Sequence, residues 1–550
     1  MTSEARRLHL VCAVILTLSI LLLPYEGIQW GDGLEFVAVA SHLGVAHPPG
    51  YPLFTLLAAA FLQLPSAEPY AAVLLMCRLA TLATLVFGAL TVRALLGRRD
   101  SIGEIVTSWG AGALLVWSPL SSPFLHTIEV YTLQAALVSG AAYFLLTPQS
   151  PSIRRLLGGA ICLGLAVCNH LPALSLCPLL GLALLRHWRR GGALPLAVGS
   201  AALSVIALPV ALYGSLPLRV GSPDGWQIVW GEPSSFASLL THVRGGEYAQ
   251  FQFLQSAPGI PMTPGLWAGF ALMRLGQTGD ALAATLPFVE PLGWWVGAPI
   301  VGLLVAGAWS LRGEHRAWLL GISAAAGLQL AFIFTYNIPD IRDYFTPLWC
   351  LLGPIAAVGF VKAVRHAVAG PAIVFLVAAL AVGAPMPDRF TRSFAENYRE
   401  RLRTGLPEGA ALLTSVDADI YTMWYLQFAK NERLDVVAVG ANFQRFPWFR
   451  RTIPPDDPRR DAIDLRAGPP PRSMDDFIDE IAARLVAPLL EKGPVYWSVM
   501  NPMEVASMRR HYTVRPEVLM LTDDELGLIQ RAGLVNFPPP TLYVIESRRP

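Results

Sequence analysis

The chain has 550 residues, 54% hydrophobic and only 15% charged, with a formal net charge of +2. A soluble domain of that length would need far more charge to cover its surface, and so even a balance offers nothing to nucleic acid. Mean hydropathy is +0.48, yet long apolar runs fill residues 8–385 while the remainder reads as ordinary soluble sequence. The split predicts a polytopic α-helical membrane domain over 1–385 and an extracytoplasmic α/β domain over 386–550. All six cysteines lie in apolar runs, which fits core packing and leaves no disulfide framework or thiolate metal site.

The first segment, "MTSEARRLHLVCAVILTLSILLLPYEG", has a basic start and an apolar stretch but no small-residue cleavage site. It is expected to stay as a signal anchor, with its span at 8–24. Further apolar segments fall at 71–92, 103–119, 130–147, 157–169, 171–186, 194–213, 293–311, 317–335, 346–362 and 367–385. With a spanning length of roughly 17 to 25 residues, these make about eleven spans, the fifth and sixth being short. Arg6 and Arg7 precede the first span, and Arg93, Arg98 and Arg99 follow the second. Arg154 and Arg155, then Arg186, Arg189 and Arg190, then Arg312 and Arg316, then Lys362 and Arg365 follow every second span thereafter. All of these loops fall on one side, so the positive-inside rule puts the N-terminus in the cytoplasm and the tail outside.

The remaining polar signatures gather on the outer side, where a site is expected. In "WGDGLEFVAVASHLGVAHPPGYPLFTLL", Asp32 and Glu35 are three apart and share a face if a helix starts there. They serve either as a helix-capping pair or as acid–base groups beside the headgroups. "HPPGYP" cannot be helical and fixes a loop in which His47 contacts substrate or simply satisfies the turn, with Tyr51 beside it. Glu129 and Tyr131 lie at the outer mouth of the fourth span, and Asn169–His170 between the fifth and sixth. Arg78, Arg219, Arg244 and Arg342 are outer arginines able to fork onto phosphate oxygens or to pair internally with acids such as Glu129, Asp340 and Asp343. Trp226, Trp230 and Tyr248 belong to a sugar site or to an interfacial belt.

In the tail, "FAENYRERLRTGL" and "ADIYTMWYLQFAK" read as helices, while "LDVVAVG", "GPVYWSVM" and "TLYVIES" read as strands, as does the run before Asp417. Ser473 with Asp476 predicts a capped helix start. Asp417 and Asp419 follow a predicted strand, where α/β sheets bind ligands and where helix capping also calls for acids. No phosphate-binding loop, dinucleotide fingerprint, zinc-protease motif or nucleophile elbow is present.

Taken together, "GDGLEFVAVASHLGVAHPPGYPLFTLL", "IEVYTLQAAL", "NHLPAL", "HVRGGEY", "YNIPDIRDYF" and "TSVDADIYTMWYLQ" resemble the domain-of-unknown-function 2723 family, bacterial relatives of eukaryotic transmembrane protein 260. The resemblance implies a GT-C-like membrane glycosyltransferase, protein O-mannosyltransferase-like, with a polyprenyl-phosphate sugar donor and a Ser/Thr hydroxyl acceptor on exported proteins. It implies Asp32 as general base and Glu35 as the group orienting acceptor or donor sugar. The phosphate would be held by Arg219 and Arg342, assisted by His47 or His242, with Tyr51, Glu129, Tyr131, His170, Trp230 and Asp340 completing the substrate contacts. No cofactor is required, although some GT-C relatives use a divalent metal with their acids. The expected setting is the bacterial inner membrane. Eukaryotic members carry a tetratricopeptide-like tail that this chain lacks, so a lipid or envelope glycan stays open as acceptor. A transporter or flippase would place its polar residues at mid-membrane and often shows inverted repeats, neither of which is seen.

Overall fold

The computed structural model describes residues 3–66, 68–97, 101–117, 121–146, 152–222, 224–251, 304–311, 316–336, 341–363, 389–466, 468, 471, 473–499, 501–519 and 541–547. Asp340, the side chain of Arg342, the expected span at 367–385, most of that at 293–311 and the outer segment 252–292 lie outside the described residues.

Helix α1 (Ser3–Leu21) leads through an extended stretch to two short helices, α2 (Asp32–Ser41) and α3 (Pro52–Phe61). The apolar bundle follows as α4 (Pro69–Leu96), α5 (Ile102–Trp117), α6 (Val130–Leu146), α7 (Ile153–Asn169), α8 (Cys177–Arg189) and α9 (Leu194–Arg219). After α10 (Phe236–Val243), α11 (Arg316–Thr335) and α12 (Thr346–Ala363) complete it. Among the described residues, five helices are long and apolar enough to cross a membrane: α4, Leu171–Arg189, α9, Trp318–Thr335 and Asp343–Val361. Three more apolar helices, α3, α5 and α6, are shorter. Small residues let the bundle close: a Cβ on Gly112 of α5 would run into the Leu85 carbonyl of α4, so only glycine permits that contact.

The tail begins with α13 (Arg389–Gly405) and builds a mixed sheet from β1 (Ala411–Thr414), β2 (Val437–Gly440), β3 (Val495–Val499), β4 (Thr513–Leu519) and β5 (Thr541–Glu546), in the order β2-β1-β3-β5-β4. The β2-β1-β3 part is parallel, with Leu412 opposite Ala438 and Tyr496, while β5 and β4 run antiparallel. Helix α14 (Asp417–Trp424) starts the β1–β2 crossover, and α15 (Met474–Ile481), capped by Ser473 accepting from Asp476 N at 3.1 Å, serves the next. Helix α16 (Pro502–Met508) follows β3.

The boundary between the two halves is covalent more than physical. In "DGLEFVAVAS" every residue after the first acid apart from Glu35 and Ser41 is apolar or glycine, so α2 needs cover on all sides. It obtains that cover from α3 and α4 on one flank and from α14 and the turn after it on the other. One continuous core therefore runs from Phe36 and Val37 through Trp230 to Trp424, Phe449 and Trp497. Hydrogen bonds cross the same seam, with Ser41 Oγ donating to Phe428 O at 2.9 Å and Trp226 Nε1 to Thr452 O at 2.9 Å. Buried Arg451 donates to Glu232 at 2.7 Å and to Gly221 O at 2.8 Å.

Candidate active site

Asp32 and Glu35 open α2 after Gly31, whose φ of 138° suits glycine, and they do different things. Glu35 has no exposed surface. Its carboxylate accepts from His47 N at 2.8 Å and pairs with His47 Nδ1 at 2.5 Å. The expectation that Glu35 orients a sugar is therefore corrected: the residue is fully buried and both oxygens are taken by His47. The Asp32 side chain is 42% exposed although the helix behind it is buried, so water reaches it. Its carboxylate lies 3.8 Å from His47 Nε2.

His47 is held by its surroundings as much as by its proline-rich loop. Its side chain is 11% exposed, and its ring meets Phe36, Tyr51 and Trp230 at centroid distances of 5.4, 5.1 and 6.1 Å. Burial alone would lower its pKa, but the charges of Glu35, Asp32 and Asp417 outweigh it and hold the imidazole at about 9. His47 is thus a fixed cation at neutral pH. Asp32 moves up from the ordinary carboxylate value through desolvation, opposed by the His47 charge and reinforced by Glu35. A water-accessible carboxylate with a raised pKa, next to a permanent cation, is suited to taking a proton from a bound hydroxyl.

The raised His47 value has a consequence for pH. Folding gives His47 its carboxylate partners, so the stabilisation is complete below 6.5 and is lost as pH rises through about 9. The thermal unfolding midpoint of purified protein in detergent is expected to fall across that window, and His47→Gln should abolish the slope. A wild-type midpoint flat over the same window would remove His47 as the buried cation.

The other predicted residues divide. Tyr51, at φ 40° before α3, stacks on His170 at 5.9 Å, and Tyr131 and His170 meet Tyr344 at 5.5 and 5.1 Å. Glu129 heads α6, its carbonyl accepting from Thr132 N and Oγ1 at 3.2 and 2.8 Å. Arg219 ties two helix ends together, Nη2 donating to Pro52 O and Ser215 Oγ, each at 3.3 Å. Trp230 is corrected as a sugar platform or belt residue: it is buried against Trp448 (4.7 Å) and Phe443 (5.0 Å) of the tail. His242 is corrected as a phosphate cation, because burial, helped by the His47 charge, pushes its pKa down to about 3 and leaves it neutral. It packs so tightly on Gly50 (φ 95°) that a Cβ there would lie 2.9 Å from its Nε2.

Beside the His47 loop lies a cavity of about 410 Å³, mostly apolar, walled by Pro49, Leu171, Leu174, Val243, Leu328 and Phe332. His170, Ser175, Arg244, Tyr248, Tyr336 and Tyr344 are the residues with polar side chains along it. Tyr248 joins the cavity to the acids, its ring 6.3 Å from that of His47. Close by, Glu247 is pushed up to about 7 by burial, against the opposing pull of Trp448 and His47. Sequence reading named Arg244 and Tyr248 without ranking them first and did not name Glu247; "HVRGGEY" carried the signal as charge beside paired glycines in an outer loop.

The profile of the Protein O-mannosyl-transferase TMEM260 N-terminal domain matches residues 32–191, beginning at Asp32 itself. The mouse Protein O-mannosyl-transferase TMEM260 is 25% identical over 470 residues, covering 80% of this chain and 63% of the mouse protein. The chain is a relative of TMEM260. The Dictyostelium discoideum TMEM260 protein is 44% identical over 50 residues, 9% of this chain and 6% of that one. The chain thus spans less than two thirds of the length of these TMEM260 proteins. Among solved structures, ArnT from Cupriavidus metallidurans in the apo state superposes with a TM-score of 0.57 at 12% identity, over 99% of this chain and 98% of ArnT. ArnT bound to undecaprenyl phosphate gives 0.55 at 13% identity over the same shares. The helical membrane fold expected from the resemblance is therefore the fold found, and the protein is a multi-pass membrane protein.

Proposed function

We propose that the protein is a membrane glycosyltransferase that moves a sugar, mannose, from a polyprenyl-phosphate donor to Ser/Thr hydroxyls of exported proteins, with inversion. The observation that carries this reading is the pairing of Asp32, exposed and next to a fixed cation, with an apolar cavity whose wall holds Arg244. An isoprenoid needs an apolar slot, its phosphate needs a guanidinium, and an acceptor hydroxyl needs a base. The relation to TMEM260 O-mannosyl-transferases and the fold of ArnT, solved with undecaprenyl phosphate, support donor and sugar.

In the proposed step the acceptor oxygen attacks the anomeric carbon while its proton passes to Asp32. The bond from that carbon to the phosphate oxygen breaks, and the polyprenyl phosphate leaves with the electron pair. His47, itself positioned by Glu35, balances the charge of Asp32 before the transfer. Arg244 lines the cavity and takes the phosphate role, which the resemblance implied for Arg219 and Arg342. Stabilising the leaving phosphate is the larger electrostatic contribution.

The basic residues of α7 and α8 (Arg154, Arg155, Arg186, Arg189) stand at the ends opposite those that carry His170 and Leu171 to the site. This supports a site outside the cytoplasm of a bacterial inner membrane, with the N-terminus inside. Membranes supplied with labelled polyprenyl-phosphate mannose should transfer label to protein. Arg244→Gln is expected to raise the donor KM by about 10- to 100-fold, the worth of a charged hydrogen bond. Wild-type membranes that label no acceptor would overturn the assignment, and label entering only glycan would replace protein with an envelope polymer.

A further inference from the structure

The tail delivers one more carboxylate to this cluster, and the proposed step leaves it unused. The chain leaves β1 toward β2 at one edge of the sheet, and leaves β3 toward β4 at the other. The carboxyl ends of these adjacent parallel strands form the switch point of the sheet, where open α/β sheets take ligands in a crevice, and here a hydrogen bond joins the two loops across it. Ser415 and Asp417 enter it from β1, Asn442 from β2 and Glu504 from β3. Ser415 Oγ donates to Glu504 at 2.7 Å, and Asn442 Nδ2 donates to Ser415 O at 3.0 Å and Asp417 Oδ1 at 3.4 Å. Asn442 is exposed and Asp417 half-buried, so the crevice is open to solvent.

Its neighbour gives the crevice meaning. Asp417 is the first residue of α14, Asp32 the first of α2, and the two helices pack together. Ser41 at the end of α2 donates to Phe428 O just beyond α14, so the two helices run the same way and their starts, Asp32 and Asp417, lie at the same end; there the charges of Asp32 and His47 act on Asp417. Two aspartates thus face the place where a hydroxyl would be activated, and one base suffices for the proton.

We propose that Asp417 is a substrate-positioning residue that accepts a hydrogen bond from the acceptor chain and holds its hydroxyl against Asp32. The proposal rests on the sugar-transfer reading of the site and adds to it an acceptor subsite supplied by the tail. Asp32, Asp417 and Glu504 repel an anionic acceptor, while the exposed Asn442, whose amide nitrogen is given to Ser415 O and Asp417, presents its carboxamide oxygen as a neutral group. Met503, 66% exposed beside Glu504, adds an apolar contact for a side chain. That combination fits an uncharged polypeptide segment bearing Ser or Thr better than a glycan.

The test uses full-length protein in membranes with labelled polyprenyl-phosphate mannose and a synthetic Ser/Thr-rich neutral peptide. Asp417→Asn is expected to raise the peptide KM at least 10-fold while the donor KM stays at the wild-type value. Asn442→Ala, at an exposed position, is expected to raise the peptide KM less, and it keeps the test alive if Asp417→Asn does not fold. An unchanged peptide KM in the folded variants overturns the proposal. So does a parallel rise of donor and peptide KM, which marks a structural role. A wild-type enzyme that labels envelope glycan and never peptide also overturns it, while leaving sugar transfer standing. A wild type with no transfer at all removes the underlying reading instead.

Discussion

Sugar transfer by the Asp32→Asn protein is expected to fall by about 10²- to 10⁴-fold, the usual contribution of a positioned general base. The amide keeps the shape of the side chain and the start of α2, so donor binding in the cavity beside Arg244 should persist. What it loses is the site for the hydroxyl proton. Labelled polyprenyl-phosphate mannose in membranes measures both quantities at once: retained donor with lost transfer is the expected pattern. Transfer within a factor of two of wild type would take Asp32 out of the mechanism altogether.

The second large effect concerns the buried pair behind Asp32. Glu35 is fully buried and His47 nearly so, and each is the other's principal partner. His47→Ala strands a carboxylate in the protein interior, a loss of about 3–5 kcal/mol when a buried ion pair is broken from one side. The double variant His47→Leu, Glu35→Leu removes both charges and is expected to recover much of that stability, since apolar replacement of a buried pair is often neutral. It should not recover transfer, because Asp32 then has no cation beside it. Thermal unfolding in detergent separates the two: a single variant as stable as wild type would overturn the buried pair as a source of stability.

How far the sequence foretold these results depends on the physics behind each signal. Apolar runs mark bundle helices whatever they pack against, so α4, α6, α11 and α12 fall within a few residues of their expected places. Short apolar runs between turn signals marked β1, β2, β3 and β5. The signal failed for β4, where Arg515, Pro516 and Glu517 read as a breaker. The strand accommodates them at the sheet edge through a shift in register between Pro516 and Val518. At the site, the special character of Asp32, Glu35 and His47 was legible because acids and a proline-locked histidine are costly beside apolar sequence. Their division of labour was not, since a spacing of three says nothing about which side chain the fold will bury. Trp230 was misread for a related reason: an interfacial tryptophan and one buried between two packed halves have the same composition around them. Asp417 was visible as an acid after a strand, and only the packing of α14 on α2 brings its helix start to the end that carries Asp32.

The cover that α14 and the following turn lay over α2 also sets a timetable for synthesis. Ser41 meets its hydrogen-bond partner Phe428 across 387 positions of sequence, so the segment bearing Asp32 is made long before its lid. A nascent chain stopped after the last bundle helix would hold the acid, the imidazole and the lipid slot, yet leave an apolar helix bare on one flank. The reaction centre is in this sense finished only once the tail is translated, and truncations of the tail should be read as lesions of the centre itself.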